Sequence, residues 1–470
     1  MTGQGREQHS KAAEPTEFVS ADPERHLDPG VPAGEPIAAL PIAAPPAAPR
    51  SRRFTIDVAP LRHRPFRRLW TGQTITVVGA QMTLAVVPFQ VFTVTRSSLE
   101  VGLTSIVALV PLVVFGLLGG AIADTIDRRV LMLLTSGGTA VASALLFVQS
   151  LLPGPGHLWV LWVLTAFESA LTAVNSPTRS AAIPALVGRG EVTAANALNM
   201  TVQQAGVIVG PLLAGFLIGA GGLPITYAVD AVGFLVAVLL LRGLPSLPPG
   251  GAAGDGAKRL SIGAAVRGVG EGFAFLRTQP VLLMTFVVDL IAMVFGWPRA
   301  VIPELAETTF AHSANALGWL SAGVSIGALL FGLVSGWVTR LDRQGAAVLL
   351  AICAWGVAVA LFGLAGSLFW AVFWLAVAGA ADLVSAVLRT SMLQTAAPDD
   401  MRGRMQGVFI VVVAGGPRLG DLRAGGMAAA LSVPVTMVSG GAVIVVAMAV
   451  VALLVPSFRR FRPSEAAPAR

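Results

Sequence analysis

Three charged residues, Arg418, Asp421 and Arg423, stand close together in an otherwise apolar stretch, "VVVAGGPRLGDLRAGG" (Val411–Gly426). Arginine keeps its charge when desolvated and offers a planar fork of donors, so Arg418 suits an anionic group on a bound solute. Asp421 follows at i+3, where one helical turn brings it beside Arg418, so the two are also placed to neutralise each other. Gly415, Gly416 and Pro417 come just before and can interrupt the helix and free backbone groups for binding. The other charges set in apolar runs are Glu168, Asp289, Asp382 and Arg389. Asp382, Ser385 and Arg389 recur at i, i+3 and i+7 and share one helix face. An unpaired charge near a bilayer midplane costs about 2.5–3.5 kcal/mol on insertion scales. Two roles are therefore open to these groups: a satisfied ion network between helices, or direct handling of solute and protons. Asp230, six residues past Pro224, reads as structural.

Other chemistries lack their residues. Cys353 is the single cysteine, which excludes an intrachain disulfide and a multi-cysteine metal site. The five histidines have no metal-binding spacing, and neither lysine, Lys11 nor Lys258, follows a glycine as a phosphate-binding P-loop requires. Asp399-Asp400 is the sole adjacent acidic pair, too little for the Mg²⁺–diphosphate chemistry of a membrane prenyl transferase. We expect no catalytic residues, no cofactor and no bound metal. The net charge of +7 comes without a basic groove of interleaved aromatics, which speaks against nucleic acid as a partner.

The elements that position these groups follow from composition. Of the 470 residues 55% are hydrophobic and 12% charged, with mean hydropathy +0.76. A soluble chain carries about 25% charged residues, so the lipid bilayer is the partner this composition demands. Apolar runs of spanning length recur over 66–94, 99–123, 130–152, 158–177, 192–219, 224–242, 279–303, 313–339, 345–366, 369–391, 406–430 and 434–456, which predicts twelve membrane helices and an all-α integral membrane fold. Residues 1–61 form a polar, proline-rich segment expected to be a disordered tail; its best apolar run is broken by Pro41, Pro45 and Pro46, unlike a signal peptide. Between 244 and 278, a Pro/Gly-rich stretch leads into Leu260–Leu276, where Ile262, Val266, Val269, Phe273 and Leu276 recur at helical spacing. That pattern suits an amphipathic helix on the membrane surface. Residues 458–470 form a second polar tail.

Charge distribution sets the orientation. With the N-terminus inside, 28 of the 32 basic residues fall on the inner side, Arg96 and Arg299 fall outside, and Arg418 and Arg423 lie within the eleventh span. Both termini are then cytoplasmic, and Trp159, Trp162, Trp297, Trp319, Trp370 and Trp374 form an outer aromatic belt. An internal repeat relates Gly120 to Gly336 and Pro184 to Pro398 at nearly equal offsets. This supports two six-helix bundles, 62–243 and 279–457, with solute held between them near midplane.

The motifs fit that plan. "GGAIADTIDRR" (Gly119–Arg129) between the second and third spans resembles the loop signature of the major facilitator superfamily. The resemblance makes Gly120 a close-packing residue, Asp124 the key acid and Arg128 and Arg129 the basic pair of a cytoplasmic latch. Thr125 and Asp127 depart from it, standing where a basic residue and a glycine are usual. "GVIVGPLLAG" (Gly206–Gly215) resembles the antiporter signature of exporters in the superfamily, with Gly206, Gly210 and Gly215 allowing close approach and Pro211 bending the helix. Drug/proton antiporters of the superfamily usually carry an arginine in the fourth span; 158–177 has none, and Glu168 is its only charge. "AAIPALVGR", "IPELAE", "LGWLSAGVSIGALLFGLVSG" and "MLQTAAPDDMRGRMQGV" resemble the enterobactin-exporter branch of the superfamily over about 62–460. That resemblance implies a monomeric, proton-coupled exporter in a bacterial inner membrane, with a siderophore as its small-molecule substrate. Drugs or macrolide-type compounds are the alternative cargo, and uptake by the same fold is a further alternative.

Overall fold

Backbone amides left bare in hydrocarbon cost several kcal/mol each, and this chain meets that constraint with helices. The computed structural model describes residues 57–152, 157–248, 262–311, 315–396 and 402–462. Most of the expected N-terminal tail (1–56), the stretch 249–261, Pro398 with Asp399-Asp400, and 463–470 lie outside the described residues. No strand occurs among those described.

The first half consists of α1 (Arg64–Thr95), α2 (Ser98–Thr125), α3 (Arg128–Ser150), α4 (Leu158–Leu186) and α5 (Val192–Arg242). After α6 (Ile262–Thr278), the second half contains α7 (Pro280–Gly296), the short α8 (Ile302–Glu307), α9 (Ala316–Gly332), α10 (Gln344–Gly363), α11 (Leu368–Ala396), α12 (Arg402–Ala430), α13 (Val433–Leu454) and α14 (Pro456–Arg460). Local chemistry sets several of these bounds. Ser97 and Ser432 cap α2 and α13 through their hydroxyls, and Asp127 caps α3 by accepting from the Arg129 and Val130 amides.

The count differs from the sequence expectation. Nine stretches among the described residues are long and apolar enough to cross a bilayer, against the twelve expected. The expected spans 192–219 and 224–242 are two helices that meet without a loop inside Val192–Arg242, at a kink where Gly222 takes φ 76°. Gly222 reaches that left-handed region without the Cβ clash any other residue would meet, and Pro224 follows it. α9 is apolar but only 17 residues long, and α12, which carries the 418–423 charges, is not among the nine.

Within the first half α1 packs on α5, α2 on α4, and α3 on both α4 and α5. In the second, α11 packs on α9 and α10, α10 on α13, and α12 on α7. The halves meet along α2–α12 and α5–α9. Lipid tails are as apolar as leucine, so such contacts rest on close van der Waals fit rather than on escape from water. Gly215 and Gly318 supply that fit between α5 and α9: a Cβ on Gly215 would come within 2.9 Å of the Gly318 Cα. Between α2 and α12, a Cβ on Gly102 would come within 2.9 Å of the Leu422 Cα. Both contacts lie at the end of the molecule opposite to where α1 starts and α13 finishes. We call this the distal end and the other the terminal end.

The far end of α6 packs on the second half, with Leu276 buried among Leu282, Phe286, Met405, Val408 and Val412. Phe273 is exposed. The Ile262, Val266 and Val269 side chains lie outside the description.

Candidate transport cleft

Between the halves lies a cleft of ≈ 990 Å³, including space open to solvent. One wall carries carboxylates. Asp230, on the second limb of α5, accepts from Thr83 Oγ1 (2.9 Å) and Ser143 Oγ (2.8 Å), which reach it from α1 and α3. Its Oδ1 is buried without a hydrogen-bond partner, as is Glu168 Oε1 on α4. Glu168 lies within electrostatic reach of Asp230. A side chain at Gly79 would collide with the Asp230 carboxylate, so glycine there makes room for it. The opposite wall carries arginines. Arg299 and Arg418 both line the cleft, with the Arg299 guanidinium 5.5 Å from the centre of the Trp297 ring. Leu84, Val87, Leu112 and Phe234 supply apolar surface between them.

Several expectations are corrected here. Arg418 and Asp421 do not form an ion pair. Arg418 Nη1 donates to its own helix at Ala414 O (2.9 Å), while fully buried Asp421 accepts from Ser105 Oγ of α2 (2.7 Å). A tertiary hydroxyl takes the aspartate, leaving the arginine turned to the cleft. Arg423 is a structural tie: it donates to Phe295 O (2.6 Å) and Thr436 O (3.2 Å) and lies over the Phe295 ring. Arg299, expected on the outer side, is half-buried and lines the cleft. Trp162 is not at a lipid-facing belt position alone, since its Nε1 donates to Thr104 Oγ1 (3.0 Å) at the cleft, and Trp297 stacks on Trp355 at 6.1 Å between ring centres. Trp159, Trp319 and Trp370 are exposed. Asp230, read as structural, ties α1 and α3 to α5 and also lines the cleft.

Asp289, Asp382 and Arg389 come together elsewhere, around a cavity of ≈ 790 Å³ within the second half. Arg389 Nη1 pairs with Asp289 Oδ1 (2.8 Å) and its Nε donates to Ser385 Oγ (3.0 Å). The i, i+4 spacing of Ser385 and Arg389 on α11 makes the second contact, and α7 brings the aspartate.

The fourth helix is longer than expected. α4 continues through Pro177 to Leu186, so Arg179 lies inside it, which removes the expected absence of an arginine from this helix. Arg179 is 7% exposed, and its Nε donates to Asn175 Oδ1 one turn earlier.

Polar contacts between the halves gather at the distal end: the Arg96–Glu307 ion pair, the hydrogen bond from Ser98 to Glu304, and Ser105 to Asp421. At the terminal end, Gly116, Gly120 and Gly336 face open space. In the antiporter-type motif, Gly206 and Gly210 pack α5 on Val77, Val78 and Gln81 of α1, and Gly215 with Pro211 meets Gly318 across the halves.

The loop between α2 and α3 is held by Asp127. Besides capping α3, it accepts from Ser246 Oγ and the Leu247 amide (3.1 Å). Burial pushes its pKa up, but the hydrogen bonds from Ser246, Leu247, Arg129 and Val130 together outweigh this and hold it below the ordinary carboxylate value. Arg128 donates to Ala181 O (3.1 Å) and Arg129 to Arg242 O (2.7 Å), both within the first half. Asp124 is exposed and makes no hydrogen bond or ion pair among the described residues. A sequence clue to Asp127 existed in its N-cap position just before the Arg128–Arg129 start of α3.

Two helical halves around a polar cleft, with several helices long and apolar enough to cross a bilayer, define the architecture of a major facilitator transporter. Residues 55–468 match the major facilitator family described as transmembrane secretion effector, and the chain belongs to that family. It is 28% identical over 400 residues to the enterobactin exporter EntS of Shigella boydii serotype 18 (strain CDC 3083-94 / BS512), covering 85% of this chain and 94% of that protein. EntS of Escherichia coli O81 (strain ED1a) gives the same identity and coverage. Among solved structures, the nucleoside transporter NupG superposes with TM-score 0.64 at 15% identity, over 84% of this chain and 98% of NupG. A structure described for substrate recognition in proton dependent oligopeptide transporters also gives TM-score 0.64, at 17% identity, covering 84% of this chain and 99% of that one. These likenesses show the shared fold.

Proposed function

We propose that this chain exports a small amphipathic or anionic metabolite by alternating access, driven by proton antiport, with an enterobactin-like siderophore as the cargo that similarity to the exporters suggests. The observation that carries this is the cleft, walled by both halves, with acids facing arginines and its distal end closed by cross-half contacts. The arginine-rich terminal end suits the cytoplasm of a bacterial inner membrane, so the cleft opens toward the side from which exported solute loads. Arg299 and Arg418 receive the anionic part of the solute, and Leu84, Val87 and Phe234 its apolar part. Glu168 and Asp230 form the proton site, because one shared proton relieves the repulsion between two carboxylates. The halves 62–243 and 279–457 rock about the cleft, and Gly120, Asp124, Arg128 and Arg129 latch the terminal end in the opposite state. The path runs through one chain, which fits a monomer. The apolar cleft wall favours multidrug or macrolide-type efflux as the second reading.

Metabolite profiling of medium from a deletion strain identifies the cargo, and a missing siderophore is the expected result. Everted vesicles should accumulate that compound when a proton gradient is imposed, and Asp230→Asn should abolish the gradient-driven part. Accumulation confined to right-side-out vesicles under an inward gradient would overturn export.

A further inference from the structure

A second polar recess opens off the first-half wall, with a volume of ≈ 820 Å³. It shares Gln81, Thr139 and Phe234 with the lining of the main cleft, so the two adjoin. Its lining is unlike the rest of the membrane interior, with Gln73, Asn175, Arg179, Asn199 and Gln203 drawn from α1, α4 and α5. The Asn175 amide holds the arginine in place. Asn175 donates to Thr135 Oγ1 and accepts from Arg179 Nε, while Gln73 and Asn199 bond each other across the recess. Arg179 is 7% exposed, and its Nη1 is buried with no hydrogen-bond partner. No carboxylate pairs with it among the described residues, and the ion pairs His63–Glu191, Arg96–Glu307 and Arg389–Asp289 do not involve it. An arginine held rigidly in a low-dielectric recess without a counter-ion is a site for one, because an uncompensated buried charge is costly and the guanidinium fork matches a planar two-oxygen anion.

We infer that the Arg179 recess is a binding subsite for a carboxylate carried by the transported solute, with the surrounding amides receiving hydroxyl groups beside it. This rests on the reading of the cleft as the export path. The subsite lies on the first-half wall, apart from Arg299 and Arg418 on the second, so a solute with two anionic groups bridges the halves. Binding at both walls then couples solute occupancy to their relative position.

The test uses the purified full chain in detergent with salicylate, which carries a carboxylate, a neighbouring hydroxyl and an apolar ring, and with salicylamide, which lacks the charge. Binding is read by isothermal calorimetry without any gradient. We expect salicylate to bind at least tenfold more tightly than salicylamide, Arg179→Gln to erase that difference, and Arg179→Lys to keep part of it. Gln203→Glu supplies an internal counter-ion, and it should abolish salicylate binding without lowering thermal stability. This variant keeps the test valid if Arg179→Gln fails to fold. Equal binding of the two probes, or wild-type salicylate binding in Gln203→Glu, overturns the inference. Carboxylate-dependent binding without outward transport in vesicles supports this subsite and overturns export alone. Outward transport with no carboxylate preference overturns the subsite alone.

Discussion

The Asp289–Arg389 pair allows a quantitative test of what the second-half charges do. Both side chains are well buried, 5% and 13% exposed, and they meet at 2.8 Å beside Asp382. Removing one partner of a buried pair costs about 3–5 kcal/mol, mostly because the remaining charge is left uncompensated. The third charge makes the two deletions unequal. Asp289→Asn leaves Arg389 facing Asp382 and Ser385, so its cost should sit near the lower figure. Arg389→Met leaves two carboxylates sharing one cavity with no cation, so it should reach the upper figure. Adding Asp289→Asn to Arg389→Met removes the repulsion, so the double mutant should be more stable than Arg389→Met alone by about 2 kcal/mol, which returns it to the lower figure. Thermal unfolding of the four purified proteins in detergent measures the cycle. The pair is already satisfied and lines a cavity separate from the cleft, so we expect the double mutant to recover transport along with stability. Additive single-mutant costs, or an Arg389→Met protein as stable as Asp289→Asn, would refute this reasoning.

Two further outcomes are expected. Asp127→Asn keeps the cap geometry but loses the charge, and it should lower stability by about 0.5–1 kcal/mol at neutral pH. Because the folded-state pKa of Asp127 lies below its ordinary value, its contribution is fully present above the ordinary carboxylate range and is lost as pH falls through the folded value. Melting curves of wild type and variant should therefore converge in acid, and a gap that persists there removes the charge as its cause. Gly318→Val places a Cβ 2.8 Å from Pro211 O and 3.1 Å from the Leu212 Cα, which blocks the α5–α9 contact. Membrane levels should stay near normal while vesicle transport falls by at least tenfold, and wild-type transport would show that this contact is not needed for closure.

The helical class and most spans were legible because hydropathy and proline or glycine punctuation act along the chain. What the sequence hid was tertiary. Pro177 is a stop signal in isolation, yet α4 runs through it because neighbouring helices in a bundle can satisfy the freed carbonyl. Arg179 was concealed by that extension. Asp230 reads as structural from its own helix, and only α1 and α3 supply the hydroxyls that aim it into the cleft. The i, i+3 spacing of Arg418 and Asp421 correctly puts them on adjacent faces. It carries no information about Ser105, which lies 316 residues away and takes the aspartate. Asp289, Ser385 and Arg389 were easier, since two of them share a face of one helix and the third is the only acid in the apolar run that packs beside it.

The kink at Gly222 joins a contact between the halves to a carboxylate of the cleft. Gly215, seven residues before it, touches the second half, and Asp230, eight residues after it, holds a carboxylate in the cleft. Each arm is only about 10–12 Å long at 1.5 Å per helical residue, and a single joint rather than a slack loop connects them. A loop would absorb a tilt of one arm before the other felt it. Here the torsion at one glycine decides how much passes through, so lifting Gly215 off Gly318 drags on the helix that carries Asp230. By reciprocity, any change in charge at Asp230 that shifts its helix pulls on the distal contact with the same coupling energy.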